Sequence, residues 1–329
     1  MTQAPHPFAG LTPDTLLDAI ESLGLRPSGS LLALNSYENR VYQVGMEEGP
    51  PLVAKFYRPA RWSDEQILEE HAFSLELAER EIPVVAPMAF DGHTLHRYQD
   101  YRFALFAKQG GRAPELDRED TLEWMGRFLG RIHAVGASAR YQVRPALDSQ
   151  SFGTEPRDFL VSGAWLPDEL RPAWIGIADQ ALDSVSHAYR RAGTIPLLRL
   201  HGDCHPGNVL WTDSGPHFVD FDDSRTGPAI QDLWMLLSGD EADMRAQLKV
   251  LLRGYETFNE FDDRELHLIE ALRTLRLLHY SAWLARRWDD PAFPAAFPWF
   301  GSVRYWQDRI LELREQVALM SQPPLMGIG

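Results

Sequence analysis

Apolar positions recur along the chain first at helical spacing, then in alternation, then again at helical spacing over most of the second half. Leu16, Leu17, Ile20 and Leu23 share one face of a helix that Thr12-Pro13-Asp14 opens and Gly24 ends. Past Pro27 the pattern changes to strand: 31–34 and 41–44 flank a hairpin tip at 35–40, and 51–57 reads as a third strand. Ser63 and Gln66 form a capping box for a helix whose inward face runs Ile67, Glu70, Phe73 and Leu77. Segments 82–87 and 102–107 are expected to complete the sheet. Gly110 and Gly111 then interrupt the apolar pattern, which divides the chain into a small lobe at 1–107, a linker at 108–113 and a mainly helical lobe at 114–329. Within the latter, 121–135 reads as a long helix carrying Leu122, Met125, Phe128, Leu129, Ile132 and His133 on one side, and 174–189 as further helix. From 240 to 318 the pattern is helical except for a Pro and Phe cluster at 290–298, and a disordered tail is expected from Gln322. The fold class is α+β.

The densest chemistry lies in His201-Gly202-Asp203-Cys204-His205-Pro206-Gly207-Asn208, followed by Phe218-Val219-Asp220-Phe221-Asp222-Asp223. Pro206 and Gly207 keep this loop from being regular helix. Strands at 209–211 and 217–219, joined by a turn at 212–216, would bring Asp220 back beside Asn208. Any single aspartate near Gly and Pro is more commonly a turn cap. The ordered set has a different use: phosphoryl transfer needs a carboxylate to accept a hydroxyl proton, and an amide with a second carboxylate to hold Mg2+ on the phosphates. Lys55 belongs to the same picture, because a charge in an apolar strand is costly unless paired. Glu70, on the apolar face of the next helix, is the expected partner, with Glu69 in reserve.

These loops resemble those of the aminoglycoside phosphotransferase and choline kinase branch of the protein-kinase-like fold, in which H-G-D-x-H-x-x-N and a later D-F/W/L replace H-R-D and D-F-G. Extended through Gly227-Pro228-Ala229-Ile230-Gln231-Asp232-Leu233-Trp234, the chain resembles more narrowly the serine/threonine protein kinases of the bacterial stress response. The resemblance implies a bilobal protein-kinase-like fold, ATP and Mg2+ as cofactors, and a protein serine or threonine as acceptor. It makes Asp203 the base, Asn208 and Asp220 the metal ligands with Asp220 also catalytic, and Lys55 the lysine that holds the non-transferring phosphates. Because the hairpin tip lacks glycine, Ser36 and Asn39 would supply phosphate donors from side chains. Val53 and Leu210, with Val41 and Val219, would line the adenine slot. Asp232 would hold the backbone of the catalytic loop, His201 and His205 would brace it, and His133 would be packed. Only eleven residues separate Asp220 from Asp232, so no phosphorylated activation loop is expected. Two other readings stand beside this one. The first is a kinase for a small hydroxyl-bearing molecule of aminoglycoside, choline or homoserine type, with Trp283, Trp288, Trp299 and Trp306 as an aromatic cage for an amine; the second is a pseudokinase, which the intact Lys, Asp, Asn, Asp set argues against.

Composition narrows the partners. The chain carries 47 acidic against 32 basic residues, a net charge of -15, and no basic run, which argues against nucleic acid. No apolar stretch approaches the length of a membrane span, and residues 1–10 lack the regions of a signal peptide. The single cysteine, Cys204, excludes an internal disulfide and suits a reducing, cytoplasmic setting, with a monomer as the working expectation.

Overall fold

The structure, a computed structural model, describes residues 6–326; the expectations for the first five residues and for 327–329 lie outside it. In chain order it forms α1 (Pro13–Glu21), β1 (Pro27–Ala33), β2 (Arg40–Met46), β3 (Leu52–Phe56), α2 (Asp64–Glu79), β4 (His96–Tyr98), β5 (Tyr101–Ala107), α3 (Glu119–Ala137), α4 (Glu155–Ser162), α5 (Arg171–Ala192), β6 (Leu198–Arg199), β7 (Val209–Thr212), β8 (Gly215–Phe218), β9 (Thr226–Gly227), α6 (Ile230–Trp234), α7 (Glu241–Tyr255), α8 (Ile269–Arg286), α9 (Ala292–Ala296) and α10 (Val303–Met320). Two compact units emerge. The first is Met1–Pro114 with Gln142–Arg144 and Pro206–Asp223; the second is Glu115–Tyr141, Pro145–His205 and Ser224–Gly329.

The first unit is built on an antiparallel sheet in the order β1-β2-β3-β5-β4. Alternation along the strands sorts its two faces. Val44, Ala54, Phe56, Phe103 and Leu105 pack with Phe8 and with Leu16, Ala19 and Ile20 of α1. The register pairs Val41 with Lys55 and Lys55 with Ala104, so these residues share the opposite face. Ala104 packs there with Tyr57 and with Ile67 of α2. The expected capping box starts α2: Ser63 Oγ accepts the Gln66 N–H at 3.2 Å and Gln66 Oε1 accepts the Ser63 N–H at 2.9 Å.

Segment 82–87 is not the strand its β-branched residues suggest. Pro83 and Pro87 lack the N–H a ladder needs. The segment instead makes single bridges, Val84 to Phe218 and Pro87 to Phe106, and the sheet is completed by β4, which doubles back on β5 through a turn with Gln99 at φ 51°. This segment anchors the β7–β8 hairpin, since the Val85 N–H donates to Phe218 O at 2.9 Å and the Phe218 N–H to Pro83 O at 2.8 Å. The hairpin turn is tighter than expected, with Thr212 paired directly to Gly215.

The second unit is helical. Helices α3 and α7 approach closely because Gly126 carries no side chain: a Cβ there would lie 2.0 Å from Leu251 O. A second core joins α4, α5, α8 and α10 around Trp174 and Trp306, whose rings meet edge to face at 5.9 Å. The Pro and Phe cluster does interrupt the helices, yet it contributes the short α9 and the fully buried Phe293. Among the described residues no helix is long and apolar enough to cross a membrane.

Candidate active site

The residues expected to bind nucleotide and metal lie in the first unit. Lys55 sits mid-strand in β3 and is buried. Its Nζ lies 2.7 Å from Asp220 Oδ1 and 3.4 Å from Asp222 Oδ1, with the Tyr57 ring 5.4 Å away. Burial works against the lysine's charge, but the two carboxylates outweigh it and hold its pKa well above the ordinary value. The expected pair with Glu70 does not form. Glu70 is buried on α2 and accepts instead from Ser74 Oγ, one turn along the helix, at 3.1 Å. Burial raises its pKa to about 7, opposed by the charges of Lys55 and Arg144. Glu69, the alternative partner, is engaged elsewhere, since its carboxylate accepts the backbone N–H groups of Gln142, Val143 and Arg144 at 2.6, 3.0 and 2.8 Å.

Asp220 follows β8 with φ 61°, a left-handed conformation that aspartate tolerates better than most residues, and its side chain is 49% exposed. The hairpin brings it next to Asn208 as expected, since the Val219 N–H donates to Asn208 O at 3.0 Å. Asn208 and Asp220 are oxygen donors at neighbouring backbone positions. That is the kind of sparse protein ligation that suits Mg2+, which keeps waters and phosphate oxygens in most of its coordination positions. Among the described residues there is no cage of three or more His, Cys, Asp or Glu. Ser36 is half-buried in the β1–β2 connection and makes no hydrogen bond with the described residues. Val53 and Leu210 are half-buried.

Asn39 departs from expectation. It is 2% exposed, its Nδ2 donates to Asp222 Oδ2 at 3.1 Å, and its Oδ1 accepts the Arg58 N–H at 3.0 Å. Its amide clamps the hairpin tip to Asp222 instead of reaching out as a phosphate donor. Asp222 is the centre of this cluster and was not singled out by the sequence. Arg61 binds it and also donates to Asp223 Oδ1 at 2.7 Å, while Arg144 donates to the Asp222 carbonyl. Burial pushes the Asp222 pKa up, but Arg61 and Lys55 overcome this and leave it lowered. The only sequence signal was three aspartates within four positions.

The expected base lies in the second unit. Asp232 organises its loop by accepting the His201 and Gly202 N–H groups at 2.8 and 2.9 Å. Asp232 is in turn held by His133 Nε2 at 3.0 Å, and His133 Nδ1 lies 3.1 Å from the Tyr255 hydroxyl. All three are buried, so the loop hangs on a closed polar network. His201 Nδ1 accepts the Asp203 N–H at 3.3 Å, and His205 Nε2 lies 3.5 Å from Asp203 Oδ2. Cys204 is fully buried, which pushes its thiol pKa well up and makes it a packing residue. Arg276 was not foreseen: its Nη1 donates to Asp203 Oδ1 at 2.7 Å.

Two of the four tryptophans offered as a cage are otherwise engaged, while Trp299 is 43% exposed. Trp306 is fully buried, and Trp283 stacks on Tyr280, packs against Phe293 and carries the Arg287 guanidinium 5.3 Å from its ring centre. A cation already covers that ring.

Comparison with known proteins gives a consistent result. The model of the phosphotransferase enzyme family matches residues 30–269. Stress response kinase A of Escherichia coli (strain K12) is 47% identical over 325 residues, 99% of this chain and 98% of that protein. Serine/threonine protein kinase RdoA of Salmonella typhimurium is 48% identical over 318 residues, 97% of this chain and 96% of that protein. Among solved structures, an amicoumacin kinase in complex with AMP-PNP and Ca2+ superposes with a TM-score of 0.72 at 19% identity, covering 96% of this chain and 95% of that one. A microcompartment-associated aminopropanol kinase follows at a TM-score of 0.68 and 19% identity, covering 93% and 96%. At such identities the structural likeness establishes the bilobal kinase-like fold alone.

Proposed function

The chain belongs to the phosphotransferase enzyme family, and from that premise we propose that it is a serine/threonine protein kinase that uses ATP and Mg2+ and serves a bacterial stress response in the cytoplasm. The observation that carries this reading is Lys55, a buried lysine in β3 paired with an aspartate in left-handed backbone next to Asn208. A binding module has no use for that arrangement together with an anchored Asp203. The relatives named as stress response and serine/threonine protein kinases, alike over nearly the whole chain, support the choice of acceptor.

In this reading residues 1–107 form the nucleotide-binding lobe, 108–113 the hinge, and 114–329 the lobe with the catalytic loop, the metal site and the acceptor groove, although 206–223 within it is compact with the first unit. Lys55 neutralises the non-transferring phosphates, Ser36 donates to phosphate from the hairpin tip, and Val53 with Leu210 flanks the adenine. Asn208 and Asp220 hold the Mg2+, which supplies charge neutralisation on the β- and γ-phosphates. Asp203 orients the acceptor hydroxyl and takes its proton as the oxygen bonds to the γ-phosphorus and the bond to the ADP oxygen breaks. Asp222, Asn39 and Arg61 keep Lys55 and Asp220 in register.

The test is transfer of labelled γ-phosphate from ATP with Mg2+ to a generic protein substrate, to the enzyme itself, and to an aminoglycoside, choline and homoserine, with Asp203→Ala as control. Label entering protein serine or threonine and lost in the control is the expected result. Label confined to a small molecule, or ATP binding with no transfer, overturns it.

A further inference from the structure

The proposed base has a cationic neighbour that phosphoryl transfer does not require. Arg276 projects from α8, its side chain 41% exposed, and its Nη1 reaches Asp203 Oδ1 at 2.7 Å. The other N–H groups of this guanidinium meet no acceptor among the described residues. Spacings of three and four along α8 put Arg273, Arg276, Tyr280 and Trp283 on one half-buried stripe. Arg273 is matched by Glu270 at 2.8 Å and lies 5.4 Å from the Trp234 ring centre, so it is already engaged. Arg276 alone among these cations combines contact with the base, partial exposure and unsatisfied donors.

A guanidinium carries five N–H donors in one plane, enough to hold one carboxylate through Nη1 and a second anion through the remaining edge. Resting on the reading of Asp203 as base, we propose that Arg276 selects the acceptor by charge: it fixes the Asp203 carboxylate through Oδ1 and receives an anionic group of the acceptor on its other donors. The acceptor is then a serine or threonine with an acidic residue close by. An ammonium brought to the same place meets a base whose charge Arg276 has already matched, and is repelled by the guanidinium itself. The overall charge of -15 makes this local cation the more discriminating, because the rest of the surface gives an acidic segment little general attraction.

The experiment uses three peptides that share one serine and differ only in having Asp, Ala or Lys on both sides, with an aminoglycoside as a polycationic control. Label transfer is measured for the wild type, Arg276→Lys and Arg276→Gln, each checked for an unchanged melting transition. The wild type is expected to favour the acidic over the basic peptide by about tenfold in kcat/KM, mostly through KM, as one charge-assisted contact implies. Arg276→Lys should keep the direction of that preference, and Arg276→Gln should bring the ratio near one. A purely structural role would lower all three peptides equally and leave the ratio intact, which overturns the inference while the kinase reading stands. A wild-type preference for the basic peptide overturns it likewise. Label confined to the aminoglycoside, or absent from every acceptor, removes the protein-kinase reading and the inference with it.

Discussion

Lys55 Nζ bridges two carboxylates of unlike surroundings, the half-exposed Asp220 at 2.7 Å and the buried Asp222 at 3.4 Å. The two aspartates therefore separate function from stability. Asp220→Asn, which keeps a residue suited to the left-handed backbone, should lower turnover on the order of 10²-fold or more while the melting transition hardly moves, because Asp222 still neutralises Lys55. Asp222→Ala strips Lys55, Arg61 and Asn39 of a buried partner and should destabilise the fold by about 3–5 kcal/mol. Urea denaturation and turnover measured on both variants check this; equal stability losses would refute it.

Asp203→Asn should retain nucleotide affinity, since the residues assigned to nucleotide lie elsewhere in the chain, and lower transfer by about 10²-fold or more through loss of the proton acceptor. Calorimetric titration with a non-hydrolysable ATP analogue, set beside turnover, separates the two effects. A fall in affinity to match the fall in turnover would count against Asp203 as base.

Glu70 gives the stability a pH dependence of known sign. Its pKa is raised from 4.5 to about 7, chiefly by burial. The folded state thus holds a proton the unfolded chain has released, and this contribution is complete below about pH 4.5 and lost as pH rises through about 7. The loss amounts to about 3 kcal/mol, with the opposing charges of Lys55 and Arg144 already contained in the shift. Denaturant midpoints between pH 4 and 8 should fall more steeply for the wild type than for Glu70→Gln; parallel curves would dismiss the effect.

Gly126→Ala tests the contact between α3 and α7. With the added Cβ 2.0 Å from a backbone oxygen, the helices must separate, and a loss of about 1–3 kcal/mol is expected in denaturant titration. An unchanged midpoint would mean that the helix pair slides at no cost.

Much of the site was legible because its determinants are local. The Ser63 and Gln66 cap, the lysine isolated in an apolar strand, and the loop with Asp203 five positions before Asn208 are written in short stretches of chain, and the hairpin that returns Asp220 to Asn208 follows from strand and turn chemistry over a dozen residues. Asp232 was legible through resemblance, and the structure shows its carboxylate on the loop backbone. Where reading failed, long-range geometry decided. Residues 82–87 look like a strand by composition, yet two prolines leave them as a bridge, and four residues at 98–101 supply the last hairpin instead.

Residue identity and local spacing by themselves pointed to a phosphotransferase and singled out Lys55, Asp203, Asn208 and Asp220 as its candidate site. Which charges meet was left to tertiary structure, because a salt bridge depends on the distance between side chains far apart in the chain. Glu70 is on the right helix face, but Asp222, 167 positions beyond Lys55, comes within 3.4 Å of the ammonium. Asn39 reaches Asp222 across the same fold instead of pointing outward. Arg276 of α8 meets Asp203 across 73 residues, a contact that no local pattern encodes.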